Sequence, residues 1–412
     1  MSRLPASAPS AAGARCFVII SSYPDVWGGS EELWCRTALH LLRAGHSVHL
    51  FKSHVAWMHL RIVELLAAGC VITDLTGPAP THRRLLGKVL PARWYPPQLA
   101  AEQRLRQGLS QLQPHLALVS QGGNLDGIDL ANVCRQVGLP YVLLAQKAAE
   151  IFLTYDVGRA LIQQVYEAAR HCFFVSRHNL ALTRRQLALP LPQATVVRNP
   201  VNVPLDAELP APPANGNWRL ACVARLDILD KGQDILLQVL AQPHWRHQPL
   251  HVTFFGSGPH HQGLAEMAAF LGIADLVSFA GHVPDVAAIW QAHHALVLPS
   301  RYEGLPLALA EAMLCGRPAI AADAGGVAEL LLDDETGFLA AAAAPAAFDE
   351  ALGRAWARRA EWPALGQRAA AHARTLVPAD AGADFAQRLL VLAPAAPTAT
   401  ARALASTLLT TL

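Results

Sequence analysis

Cys16-Phe-Val-Ile-Ile-Ser21, then Gly28-Gly29-Ser30-Glu31, then a run to Ala44 closed by Gly45, then His46 to Lys52, is the stretch that decides the fold. Its first residues are a short apolar run rich in β-branched and aromatic side chains, the signature of a buried strand. The segment from about Glu31 to Ala44 has helical periodicity, and Gly45 supplies the stop. Strand, glycine loop, helix, strand is the opening of an alternation that predicts a parallel sheet with helices on both faces.

Working outward, apolar runs at Leu116 to Ser120, Tyr141 to Ala145, Cys172 to Val175 and Thr195 to Val197 complete a first sheet. After Asn199-Pro200, the segment Val201 to Trp218 holds Pro204, Pro210, Pro212, Pro213 and Gly216 and reads as a linker. The alternation then restarts, with strands at Arg219 to Val223, His251 to Phe255, Val277 to Ala280, Ala295 to Leu298 and Pro318 to Ala321. The pattern predicts an α/β protein of two Rossmann-like, doubly wound parallel-sheet domains facing a central cleft, with ligands beyond the carboxyl ends of the strands. The expected boundaries are a disordered segment at 1–14, a first domain at 15–200, the linker at 201–218 and a second domain at 219–375. A C-terminal helix at 376–393, crossing back to the first domain, and a low-complexity tail at 394–412 complete the reading.

Composition narrows the function. A length of 412 residues gives two or three domains, each with a real core, and excludes a small stapled module. Hydrophobic residues make up 52% and charged residues 16%, yet no apolar run reaches the ~18 residues of a membrane span, and no secretory leader is legible. Cytoplasmic residence is the expectation. The seven cysteines lie far apart without a Cys-x-x-Cys pair, as buried reduced thiols do. A net charge of +2 is too small to argue for a nucleic-acid partner, and none is expected. Arg83, Arg84, Lys88 and Arg93, interleaved with Leu85, Leu86, Trp94 and Tyr95, read either as a solvated helix face or as a basic amphipathic segment that meets a membrane surface or an anionic acceptor.

The chemistry-bearing segments follow strands. In Pro299-Ser-Arg-Tyr-Glu303-Gly-Leu-Pro-Leu-Ala-Leu-Ala-Glu311-Ala-Met313, Pro306 suits a first helical turn, which places Glu303 in the preceding loop and Glu311 inside the helix. The amides near Gly304 and Leu305 then face any anion at the helix start, and the two carboxylates suit sugar hydroxyls. Arg225 and Lys231-Gly232 follow the first strand of the second half, where cations can neutralise a departing diphosphate. Gly256-Ser-Gly258-Pro259 and Gly28-Gly29 are turns that let backbone approach a ligand closely.

Together these segments resemble glycosyltransferase family 4, the retaining nucleotide-sugar-dependent enzymes of GT-B fold, most densely from Leu220 to Leu339. Pro299 to Met313 is similar to the family's Glu-x7-Glu signature, and Gly325-Gly326-x-x-Glu329 with Thr336-Gly337-Phe338 to the text that follows it. Gly28-Gly29-x-Glu31, Val175-Ser176 and Val197-x-Asn199 match landmarks of the first domain. The resemblance implies that Arg225 and Lys231 hold the donor diphosphate, Glu303 the sugar hydroxyls and Glu311 the ribose, with Gly29, Gly256, Gly258 and the amides of Gly304 and Leu305 completing the donor site. It also implies a nucleoside diphosphate sugar as co-substrate and no catalytic metal; no Asp-x-Asp triplet is present.

Three positions depart from the family pattern. Gln146 stands where a histidine commonly reaches the donor sugar; its amide keeps a sugar contact but carries no proton. Asn199-Pro200 replaces Asn-Gly, and Ala224 replaces a glycine before Arg225. The adjacent pairs His260-His261 and His293-His294 lack companions at metal spacing. Rival readings are a phosphorylase or epimerase of the same fold, and a non-catalytic nucleotide-sugar binder or assembly partner. A nicotinamide oxidoreductase lacks its Gly-x-Gly-x-x-Gly after the first strand.

Overall fold

A computed structural model describes residues 13–24, 27–76, 97–151, 153–207, 209, 210, 212 and 216–394. The expected disordered segment up to residue 12, the basic stretch from Arg83 to Tyr95 and the tail from 395 lie outside the described residues.

The first sheet comprises β1 (Cys16–Ser21), β2 (Ser47–Lys52), β3 (Val71–Asp74), β4 (Leu116–Gln121), β5 (Tyr141–Ala145), β6 (His171–Phe174) and β7 (Ala194–Val196), in the order β3-β2-β1-β4-β5-β6-β7. The second comprises β8 (Trp218–Val223), β9 (Leu250–Phe255), β10 (Val277–Gly281), β11 (Ala295–Leu298), β12 (Ala319–Ala322) and β13 (Gly337–Ala340), in the order β10-β9-β8-β11-β12-β13. All pairings are parallel, as between Ile19 and Leu50 in the first sheet and Val297 and Ile320 in the second. Such strands are buried on both faces, which is why β1, β4, β5, β11 and β12 read as almost unbroken apolar runs. In each sheet the chain reverses direction of growth beside its first strand, at β1/β4 and at β8/β11, and crevices open beyond the strand ends there.

The linker is pinned at several points. Val203 is buried with residues of the second domain, Arg317 Nη2 donates to the Pro210 carbonyl at 2.7 Å, and Arg36 Nη2 donates to that of Val201 at 3.0 Å. Beyond the helix Trp362–Leu376, which packs on the second domain, the helix Ala381–Leu392 lies on the first. Phe385 meets Phe173 edge-on at 4.8 Å between centroids, and Leu389 joins Phe17 and Leu33 in one core. Gly382 lets the helix Glu32–Arg43 approach closely, since a Cβ there would lie 2.7 Å from the Arg36 Cβ. Among the described residues no helix is long and apolar enough to cross a membrane.

Candidate active site

The loops after β1, β4 and β5 of the first domain face those after β8, β9 and β11 of the second across a cleft of about 1600 Å³. Gly29, Gln146, Arg225, Lys231, Gly256, Gly258, Glu303, Gly304, Leu305 and Glu311 all line it. Residues up to 282 positions apart in sequence, Gly29 and Glu311, are thus brought to one space by the two switch points.

Lys231 ends the short helix Ile228–Lys231, which Gly232 terminates at φ +60°. A Cβ on Gly232 would lie 2.2 Å from the Pro299 carbonyl oxygen, so the close approach of these two loops requires glycine. That approach sets Lys231 Nζ 2.7 Å from Glu303 Oε1, on a carboxylate that is 5% exposed. Glu303 is backed by Gly325, at φ +57°, whose Cβ would strike the Glu303 carbonyl oxygen at 1.9 Å, and Gly326 N–H donates to the Gly304 carbonyl at 2.8 Å. The helix that follows runs Leu307–Leu314, so Pro306 occupies its N-cap and not its first turn, with ψ 119°. Its ring still fits, because the Pro306 nitrogen precedes the intrahelical bonds.

Arg225 Nη2 lies 3.0 Å from Asp227 Oδ2 and 3.2 Å from Asp230 Oδ2, and Nη1 donates to the Tyr23 hydroxyl of the facing domain at 3.4 Å. Gly256, at φ +137°, and Gly258 press on the loop that carries Arg225; Cβ atoms there would fall 2.1 Å and 2.4 Å from the carbonyl oxygens of Ala224 and Leu226. Gly29 approaches the Leu307 side chain, where a Cβ would stand at 3.0 Å. Behind it, the buried Glu31 accepts from Ser21 Oγ and Trp34 Nε1 and pairs with Lys52 Nζ at 3.1 Å; Lys52 also donates to the Tyr23 carbonyl. Burial pushes the Glu31 carboxyl up despite Lys52.

The domains touch through backbone. A Cβ on Gly304 would lie 1.9 Å from the Gln146 carbonyl oxygen, and one on Gly326 would lie 2.7 Å from the Ser176 Cβ. Glu329 reaches across to accept from His178 N–H at 3.0 Å and from Arg198 Nη2 at 3.2 Å.

Gln146 Oε1 accepts from Asn199 Nδ2 at 2.7 Å. Gln146 Nε2 and Asn199 Oδ1 are buried without a hydrogen-bond partner, and both residues line the cleft. A donor and an acceptor left open side by side match one hydroxyl group. The paired histidines have other duties: His293 Nδ1 contacts the Ile289 carbonyl, His294 Nδ1 accepts from Arg219 N–H and His260 Nδ1 from Ile228 N–H. Among the described residues no group of three or more His, Cys, Asp or Glu is placed to hold a metal ion.

Glu311, 3% exposed, receives both the backbone N–H of Asn202 at 2.9 Å and its Nδ2 at 3.0 Å on one oxygen. Asn202 is a linker residue that sequence reasoning passed over, because proline-rich composition marks only a connection. Burial outweighs the two donors and pushes the carboxyl up to about 7. The folded chain therefore keeps a proton that the unfolded chain releases near pH 4.5, and stability falls as pH rises through this window, by about 3 kcal/mol in all. Glu311→Gln is expected to remove this dependence. Denaturant unfolding of both proteins between about pH 5 and pH 8 checks it: the wild type must lose stability relative to the variant, and a constant gap refutes the assignment.

Two parallel sheets of this order around such a cleft make up the GT-B fold. HepE from Anabaena, solved in complex with UDP, matches with a TM-score of 0.68 at 16% identity, over 91% of this chain and 99% of that one. The sucrose-phosphate synthase of Thermosynechococcus elongatus matches with a TM-score of 0.70 at 19% identity, over 91% and 98%. Residues 218–358, which carry Arg225, Lys231, Glu303 and Glu311, match the family described as Glycosyl transferases group 1. The GDP-mannose-dependent alpha-(1-6)-phosphatidylinositol monomannoside mannosyltransferase of Mycolicibacterium smegmatis is 29% identical over 231 residues, 50% of this chain. That match spans 59% of the relative's own length. The D-inositol 3-phosphate glycosyltransferase of Nocardia farcinica is 27% identical over 383 residues, 84% of this chain and 81% of that protein.

Proposed function

We propose that the chain is a retaining glycosyltransferase that moves a sugar from a nucleoside diphosphate sugar, of UDP or GDP type, to a glycan, lipid-linked or small-molecule acceptor. The observation that carries this reading is the convergence of Arg225, Lys231, Glu303 and Glu311 at the switch point of the second sheet, opposite Gly29 of the first domain. The UDP-bound neighbour and the GDP-mannose-dependent relative support a donor of this class.

In the proposed reaction the bond between the anomeric carbon and the diphosphate oxygen breaks, and a bond to the acceptor oxygen forms on the same face of the sugar. The acceptor proton passes to the departing diphosphate. Arg225 and Lys231 stabilise the charge that builds on that group, fixed before reaction by the carboxylates that pair with them. Glu303 accepts hydrogen bonds from the sugar, Glu311 from the ribose, and the facing domain excludes water. No metal is assigned a part. We place the activity in the cytoplasm, at the inner face of the membrane when the acceptor is lipid-linked.

Gln146 Nε2 and Asn199 Oδ1 would take one sugar hydroxyl between them. Gln146→Leu is expected to raise Kd for the nucleotide sugar about 10-fold while nucleoside diphosphate alone binds as before. Titration calorimetry with both ligands tests this, and equal weakening of both would remove Gln146 from the sugar site.

The reading itself is tested by thermal-shift screening of nucleotide sugars, followed by product analysis with the best donor and a broad acceptor panel. Nucleoside diphosphate should appear only when an acceptor is supplied, with the anomeric configuration kept. Donor binding with no transfer to any acceptor would overturn the enzyme and leave a binding protein.

A further inference from the structure

Lys147 follows Gln146 at the end of β5, in the first domain, yet its Nζ lies 2.6 Å from Asp230 Oδ2 in the second. The same oxygen lies 3.2 Å from Arg225 Nη2. Lys147, Asp230, Arg225, Lys231 and Glu303 all line the cleft. The segment has little freedom, because the Gln146 carbonyl is packed against Gly304 and the Lys147 carbonyl accepts from Asn124 N–H at 2.8 Å.

The charge count gives this contact its meaning. The second domain brings two cations, Arg225 and Lys231, and three carboxylates, Asp227, Asp230 and Glu303, in two neighbouring groups that line the cleft: Arg225 with Asp227 and Asp230, and Lys231 with Glu303. By themselves these sum to −1, an environment that repels a diphosphate. Lys147 brings the cluster to zero, and it is paired with the one carboxylate that a phosphate oxygen can replace on both Arg225 and Lys147.

We propose that Lys147 is a third diphosphate ligand, supplied from across the cleft, and that Asp230 holds its place, and one side of Arg225, until the donor arrives. The proposal rests on the reading of this cleft as a nucleoside diphosphate sugar site. Donor binding then links the two domains through a phosphate in place of a carboxylate, so that closure and recognition of the diphosphate are a single event. A nucleoside monophosphate, which ends one phosphate short, gains little from Lys147.

The test is calorimetric titration of the full chain with UDP, GDP, ADP, CDP and dTDP and with the matching monophosphates. Lys147→Met is expected to weaken the preferred diphosphate about 10- to 100-fold and leave its monophosphate within a factor of about three. Lys147→Arg should retain diphosphate binding, and Asp230→Asn should hold or tighten it. If Lys147 served only as a strut between domains, Asp230→Asn would weaken the diphosphate as Lys147→Met does, and the proposal falls. It falls equally if Lys147→Met changes neither ligand or both alike. Absence of binding by the wild type to all five diphosphates overturns the donor-site reading itself, and this proposal with it.

Discussion

Glu303→Ala is expected to lower kcat by roughly 100- to 1000-fold while the affinity for free nucleoside diphosphate stays level or rises. The carboxylate is 5% exposed and bonded to Lys231 Nζ at 2.7 Å, so it competes with any incoming phosphate for that lysine, and in the proposed reaction it also accepts from the sugar hydroxyls. On the proposed reaction, its removal frees Lys231 for phosphate but leaves the transferred sugar without an anionic contact as positive charge develops at the anomeric carbon. Opposite movement of turnover and diphosphate affinity is the signature. Initial rates and calorimetry on one preparation read both, and near-normal turnover would dismiss Glu303 from the reaction.

Arg225→Ala should act differently, reducing kcat/KM by about 100-fold or more and weakening nucleoside diphosphate together with it. Here the loss of one cation leaves Asp227 and Asp230 facing the incoming phosphates, with only Lys147 paired to Asp230 and Lys231 paired to Glu303. Ground state and transition state both suffer, so KM rises as kcat falls. Arg225→Lys should recover only part of the loss, because a single ammonium cannot span the positions that the guanidinium spans between Tyr23, Asp227 and Asp230. Full activity in the alanine variant would remove Arg225 from the donor site.

Much of the architecture was legible because parallel strands buried on both faces are nearly continuous apolar runs, as β1, β4, β5 and β11 are, with polar residues only at the carboxyl ends of β1 and β4. β3 and β13 escaped notice for opposite reasons. β3 is an edge strand of four residues with Val71 exposed, and β13 is a short Gly-Phe-Leu-Ala run whose position beside β12 alone makes it a strand. The cleft-lining residues of the second domain could be read because one continuous segment, Glu303 to Glu311, carries two of them at fixed spacing. Tyr23, Lys147 and Asn202 could not, since each acts on a residue of another segment: Tyr23 on Arg225, Lys147 on Asp230, Asn202 on Glu311. Asp227 and Asp230 stood in plain sight next to Lys231, yet only their distances to Arg225 give them a part.

The helix Ala381–Leu392 has a consequence for how the chain comes to be folded. Phe385 and Leu389 fill the face of the first sheet beside Phe17, Leu33 and Phe173, so a domain begun at residue 16 is finished by residues made after the whole second domain. During synthesis the first half emerges with that apolar face bare and must wait, while the second half is free to close on its own sheet. The order of maturation is thereby inverted: the second domain reaches its native state first, and the first domain is sealed last.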